Sequence, residues 1–303
     1  VDLAPSNRVG LLHFGLTLGL SAGGLAAPHA GGWASWGLGQ VLLALAGLRW
    51  FLVLHEAGHR TLFRTRSWNR GAALLAGTWS WIPAAAWRKV HAGHHRWAGW
   101  EDRDPTRAGL ARAAPRGVLA GVLALAWRAQ LPLIALLYRR AFWRGLEGRA
   151  RLEALAQLAL WAALVALWGP TWCVLNLAPG VALGLVLQEW LILSQHTHLP
   201  QARAGSERVR PFSAADQGRF TRSLKVPVWL SWLLLGAEAH SLHHRFPQIP
   251  GYRLSRVAAR AEHEPSWGDW LVSARRHSGQ RYLFSTHEDC PECTSPPPSR
   301  RTS

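Results

Sequence analysis

Apolar positions in this chain come in long unbroken runs rather than in the strict alternation of a strand or the narrow stripe of a soluble helix. The first run spans Gly10 to Ala27; after the short stretch PHAGG a second spans Trp33 to Leu54, interrupted only by Gln40 and Arg49. At ~1.5 Å per residue each is about long enough to cross the hydrocarbon core of a bilayer. The pair predicts a helical hairpin, with Trp33 and Trp36 suited to an interfacial belt at its turn. A second hairpin is expected from Leu152 to about Gln195, as spans of roughly 152–174 and 176–195, its turn lying between Gly169-Pro170 and Ala178–Gly180. Two further stretches, Ala72 to Trp87 and Val118 to Tyr138, carry Pro83 in one case and Arg128, Gln130 and Pro132 in the other. Such short or interrupted runs read as interfacial or re-entrant helices.

The expected fold is therefore an all-α integral membrane helical bundle, with about four transmembrane helices in two hairpins. One domain over residues 1–288 is expected, its spans at about 10–27, 33–54, 152–174 and 176–195 and its cap made of 55–151 and 196–288. Residues 289–303, DCPECTSPPPSRRTS, are rich in proline and serine and read as a disordered tail.

Charge orients this bundle. The chain has 34 basic and 17 acidic residues, a formal charge of +17, and its arginines concentrate in 60–151 and from 201 onward, whereas PHAGG and GPTWCVLNLAPG hold none. The positive-inside rule puts the long segments, and both termini, in the cytoplasm. Basic residues that sit between apolar segments, with no helix-turn-helix, RNP or zinc-finger pattern, favour a membrane surface over nucleic acid. Arginine in place of lysine, with abundant Ala and Gly, suggests a GC-rich bacterial genome and hence an inner membrane. VDLAPSNRVG lacks the features of a signal peptide, and with no Met in the chain the native start is expected to be missing or altered. Three cysteines make no disulfide framework and suit a site facing a reducing compartment. Cys290 and Cys293 with His287 are a weak zinc candidate, having no second pair, and His13, His29, His263 and His277 are isolated.

Ten of the 15 histidines fall in four clusters: HEAGH (His55, His59), HAGHH (His91, His94, His95), QHTH (His196, His198) and HSLHH (His240, His243, His244). On a helix, positions i, i+3 and i+4 share a face, so each H-x-x-H-H aims three imidazoles the same way. HEAGH by itself matches the H-E-x-x-H of a zinc protease, with Glu56 as base. That site needs three ligands and an open position, and ten histidines are too many for one zinc. Imidazole suits zinc, copper, iron and nickel alike, but eight or nine of them fit two adjacent metal ions. The topology can bring all four clusters to one membrane face.

HEAGH, HAGHH and HSLHH at these separations resemble the three histidine boxes of the membrane fatty acid desaturase superfamily. WRKVHAGHHRWAGWEDRDP is similar to the second-box region of its acyl-lipid desaturases. SQHTHLP and HSLHHRFPQIPGYRL resemble the region after the last span and the third box of the branch acting near the middle of an acyl chain or beyond. The resemblance covers about Val53 to Leu254. It implies a cytosolic cap over a di-iron centre, dioxygen as oxidant, an acyl lipid or acyl thioester as substrate, and a small electron carrier of ferredoxin or cytochrome b5 type. Carried over residue by residue, the iron ligands are His55, His59, His91, His94, His95, His240, His243 and His244, with His196 as the extra one and His198 as a supporting or substitute group. The family's first box often has Asp where this chain has Glu56, and no fused cytochrome b5 pattern is seen, so the resemblance implies a separate carrier.

Carboxylates that could orient ligand imidazoles are Glu189, two helical turns before His196, Glu238, two residues before His240, and Asp102 and Asp104, after the second box. Trp87, Trp97 and Trp100 flank that box and are candidate walls of an acyl channel. The iron centre serves desaturation and, with a different product, hydroxylation or carotenoid oxygenation. An intramembrane zinc protease and a non-catalytic metal-binding protein are the rivals from other classes.

Overall fold

The computed structural model describes residues 2–107, 117–197, 199–257 and 264–275; among them there are helices and turns but no strand. The first two apolar runs form helices α1 (Asn7–Ala26) and α2 (Trp33–His59), joined by a 3-10 turn at Ala27–Ala30. α2 continues five residues past the apolar run, so HEAGH forms its last turns. It stops at Arg60, which adopts the left-handed conformation (φ 65°) and gives its N–H to the Ala57 carbonyl, while the Thr61 N–H returns to the Glu56 carbonyl.

α2 is the central helix, packed against α1, α3 (Arg66–Ser80) and α8 (Ala178–His196), with Trp50, Val53 and Leu54 fully buried. Its two polar interruptions bind other elements. Arg49 is fully buried, donating to Thr17 Oγ1 at 3.1 Å, to the His13 carbonyl at 2.9 Å and to the Leu233 carbonyl. Gln40 donates to the Asn176 carbonyl at 3.0 Å and accepts from the Gly180 N–H at 2.8 Å. A charge or amide within an apolar helix persists only where it faces such partners.

The stretch from Ala72 to Trp87 splits at Trp81–Pro83, so α3 ends there and α4 (Ala84–Trp97) begins just after the proline, carrying the second histidine cluster. Helices α5 (Val118–Arg128) and α6 (Leu133–Trp143) meet at an elbow bent by 118°. α7 (Gly148–Trp168) ends at Gly169, whose φ of 82° turns the chain before Pro170. The hairpin turn is therefore at the earlier of the two expected places, and the spans expected at 152–174 and 176–195 are corrected to Gly148–Trp168 and Pro170–His196. Pro179 does not end the helix: a π-helical turn at Cys173–Leu177 precedes it, and the Leu175 carbonyl, four residues before the proline, accepts the Trp36 indole N–H at 3.1 Å instead. Among the described residues four helices, Asn7–Ala30, Trp33–His59, Gly148–Trp168 and Pro170–His196, are long and apolar enough to cross a membrane.

The remaining short helices α9 (Val228–Leu233), α10 (His240–Arg245), α11 (Gly251–Leu254) and α12 (Trp267–Arg275) follow the fourth span. His198, His263, His277, His287, Cys290, Cys293 and the proline-rich tail lie outside the described residues.

Candidate metal centre

His55 and His59 come from the end of α2, His91, His94 and His95 from α4, His196 from the last residue of α8, and His240, His243 and His244 from α10. The fold brings them into two groups. Ring nitrogens of His55, His59, His91 and His243 lie within 4.8 Å of one another, and so do those of His94, His196, His240 and His244. His95 joins the first group, its Nε2 3.0 Å from His91 Nε2 and 3.1 Å from His243 Nε2, while its ring stacks on His244 at 4.3 Å. Each H-x-x-H-H is thus divided between the groups: His91 and His95 to one, His94 to the other, and likewise His243 apart from His240 and His244. Neighbours on one helix face span both positions.

The donor set fits metal ions. Nε2 atoms approach at 2.8 Å for His59 with His91 and for His196 with His240, 3.1 Å for His240 with His244 and 3.2 Å for His94 with His244. Nitrogens sharing one ion at the usual 2.0–2.1 Å stand roughly 2.8–4.2 Å apart, so these contacts have the right scale. His55 Nε2 is buried with no hydrogen-bond partner among the described residues. Burial, reinforced by repulsion among the rings, pushes His91, His95, His240, His243 and His244 well below the ordinary imidazole range. Neutral rings with convergent lone pairs are what a metal requires.

Other side chains hold the rings. His94 Nδ1 lies 2.7 Å from Asp104 Oδ2, and Asp104 Oδ1 accepts from the Thr106 hydroxyl at 2.7 Å and its N–H at 2.9 Å. Burial alone would raise the Asp104 carboxyl, but the His94 and Thr106 contacts outweigh it and hold the group below the usual carboxylate range. Two residues that sequence reasoning did not place in this role do the same for other rings. Glu56 Oε1 lies 3.2 Å from His55 Nδ1, and Gln217 Oε1 lies 2.9 Å from His244 Nδ1. Adjacency to His55 was a signal for Glu56; nothing in the sequence around Gln217 marks it. Glu56 Oε2 also accepts from the Thr61 hydroxyl at 2.8 Å and the Gly251 N–H at 2.9 Å, so it is engaged in structure and not free to act as a protease base.

Among the described residues Asp102, Glu189 and Glu238 have partners other than a ring. Asp102 caps the Ala204 and Gly205 N–H groups at 3.0 and 2.8 Å, Glu189 accepts from the Ala135 N–H at 3.0 Å at the start of α6, and Glu238 takes the Ser231 hydroxyl. Glu189 is on the right helix face, but α6 packs there and its unpaired N–H groups take the carboxylate first. Replacing Asp104 with Asn, which keeps the shape but not the charge, is expected to weaken metal binding at the His94 group by about 10–100-fold. Metal titration of the apo protein tests this; unchanged affinity would show that Asp104 does not tune the ring.

An apolar cavity runs beside both groups, walled by Phe51 and Leu52 of α2, Ile134 and Tyr138 of α6, and Leu191 and Leu193 of α8. Trp87 also lines it, stacked on His91 at 4.2 Å. Gly58 permits this: a Cβ there would stand 2.1 Å from the Trp87 ring. Trp97 and Trp100 are not in the wall, since Trp97 lies under the Arg96 guanidinium and Trp100 bonds the Arg210 carbonyl and stacks on Phe212.

The sequence profile of the fatty acid desaturase family matches residues 31–275, which include all ten clustered histidines. The chain belongs to the fatty acid desaturase family. Similar proteins include the fatty acid desaturase of Bacillus subtilis, 25% identical over 237 residues that make up 72% of this chain and 65% of the relative. The sphingolipid delta(4)-desaturase/C4-monooxygenase DES2 of Homo sapiens is 30% identical over 232 residues, 73% of this chain and 65% of the relative. The probable fatty acid desaturase DES1 of Sorghum bicolor is 25% identical over 264 residues, 79% of this chain and 66% of the relative. The chain thus spans just under two thirds of the length of these relatives. This desaturase-family member is an integral membrane protein with a histidine-built metal site.

Proposed function

We propose that this protein introduces a carbon–carbon double bond into an acyl chain, using two iron ions, dioxygen and electrons from a separate small carrier of ferredoxin or cytochrome b5 type. The observation that carries the reading is the juxtaposition of two imidazole groups with a cavity that members of both line, among them His55 and His91 of one and His94 and His196 of the other. His55, His59, His91, His95 and His243 would hold one ion, and His94, His196, His240 and His244 the other. The arginine distribution supports placing this centre at the cytoplasmic face, in a bacterial inner membrane.

An unactivated methylene has no acidic proton, so the side chains cannot start this reaction by acid–base chemistry. Bound iron supplies the oxidising power to take hydrogen from such a carbon, with dioxygen as oxidant. The chain's own part is placement. Phe51, Leu52, Ile134 and Leu193 offer a hydrocarbon a dry bed beside the rings, and Asp104, Glu56 and Gln217 fix three of those rings in orientation. A second reading, hydroxylation, is favoured by the human relative's printed name, which joins desaturase and monooxygenase.

The test is the lipid profile by mass spectrometry of a host expressing the chain, compared with one expressing His94→Ala. A species lighter by two hydrogens, absent with the variant, is the expected result. One heavier by a single oxygen would move the reading to hydroxylase. A purified protein holding one zinc and no iron would overturn both.

A further inference from the structure

Away from the metal centre, α1 and α3 leave a second hollow between them. Its walls are Leu11 and Phe14 of α1 and Trp68 and Ala72 of α3, and Phe63, in the loop from α2 to α3, forms its floor. The Phe63 ring meets Phe14 at 6.2 Å on one side and Trp68 at 5.6 Å on the other. The groove measures about 220 Å³, more than the ~150 Å³ cavity that accepts a benzene ring. Leu11 and Trp68 are 49% and 44% exposed on its rim.

Hydrogen bonds fix this shape. The Phe63 N–H donates to Asn69 Oδ1 at 3.1 Å, and its carbonyl accepts from Asn69 Nδ2 at 2.6 Å. Asn7, at the start of α1, donates to Thr65 Oγ1 at 2.8 Å and accepts from the Thr65 N–H at 3.0 Å. A Cβ on Gly10 would stand 2.4 Å from the Leu62 carbonyl oxygen, so α1 already touches the loop backbone and cannot move inward to close the groove.

Four arginines stand at the end of the groove where α1 and α3 begin. Arg8 is one turn before Leu11, Arg64 follows Phe63, and Arg66 and Arg70 lie either side of Trp68 along the chain. All four are exposed, and among the described residues none has an ion pair or a side-chain hydrogen bond. Asp2, whose carboxylate interacts with Arg64, is exposed and already paired with Arg253 at 3.5 Å. The start of a spanning helix is headgroup depth, where tryptophan is at home and where a basic pocket between helices suits an anionic lipid. A neutral lipid would gain nothing from the arginines, and a free anion nothing from the apolar walls.

We propose that this groove binds one acyl chain of an anionic phospholipid whose phosphate lies against Arg8, Arg64, Arg66 and Arg70, at a site separate from the metal centre and its cavity. The lipid is a fastener between α1 and α3 and not a substrate, so the inference holds whichever reaction the iron centre performs.

The experiment uses the metal-loaded full chain in uncharged detergent micelles and measures equilibrium binding of radiolabelled dioleoyl phosphatidylglycerol and dioleoyl phosphatidylcholine, with Tm in each. The wild type is expected to bind the anionic lipid at least about tenfold more tightly and to gain more Tm from it. Arg64→Gln combined with Arg70→Gln should erase most of that preference. Leu11→Trp, which fills the groove from an exposed position, should weaken anionic-lipid binding by a similar factor; the arginine pair tests the site even if this variant fails to fold. Arg151→Gln, an exposed arginine at the start of α7, and Leu18→Trp, an exposed leucine two turns further along α1, should both keep the preference. Equal binding of the two lipids, or equal Tm with either, would overturn the inference. Loss of the preference in Arg151→Gln would do the same by reducing it to net charge, and full binding in Leu11→Trp by moving the lipid to the cavity beside the histidines. Displacement by millimolar inorganic phosphate would leave an anion site without a lipid. A wild-type dimer that becomes monomeric in Leu11→Trp would give the groove to a second copy of the chain and overturn the proposal as well.

Discussion

His94→Ala leaves a folded protein with no detectable turnover and with metal lost from one of its two positions. His94 is 4% exposed and meets His244 on one side and Asp104 on the other, so truncation removes a ring nitrogen that no neighbour can replace. The fold tolerates the change because Asp104 keeps the Thr106 hydroxyl and N–H on its other oxygen. His59→Ala, on the opposite group, should empty the other position and spare the first. Iron per chain by elemental analysis, with Mössbauer spectra of the two variants, reads this directly. Undiminished iron and turnover in His94→Ala would remove that residue from the centre.

Gly236→Ala is expected to cost on the order of 3 kcal/mol and to release metal along with it, the sum of a left-handed backbone penalty and an unrelieved clash. Gly236 has a φ of 74°, and a Cβ on it would stand 2.1 Å from the Gly251 carbonyl oxygen. The obstacle is backbone, so no rotamer change can make room. This crossing of Gly236 and Gly251 brackets α10, and Glu56 fastens it to α2 through the Gly251 N–H, so displacing it moves His240, His243 and His244 together. Gly71→Ala, in the middle of α3 with nothing within 4 Å of the new Cβ, is the control and should be neutral or slightly stabilising. Denaturation of both variants in micelles decides the matter; a Gly236→Ala protein as stable and metal-rich as the parent would show that the crossing is not rigid.

The four spans were legible in the sequence because the bilayer sets a length and forbids unpaired polarity, and both constraints are written into single stretches of chain. The i, i+3, i+4 spacing of the histidines was legible for the same reason: it is local geometry, and it placed His91, His94 and His95 on one face before any neighbour was known. The turn at Gly169 rather than near Pro179 was not, since a π turn and Gln40 on another helix decided whether the proline ended the helix. Partition of the rings between two positions, with the members of each H-x-x-H-H divided, depends on how α4 and α10 cross. So does the choice of Asp104 over Asp102 as the carboxylate on His94, two residues apart in sequence and turned to different partners. Gln217 carries no local mark because a single side chain reaching a ring across 27 residues is a property of packing alone. The sequence by itself determined which elements exist, which membrane lengths they match and which residue types gather; the tertiary structure decided which of them touch, because contacts between distant segments depend on the relative placement of helices that no local spacing encodes.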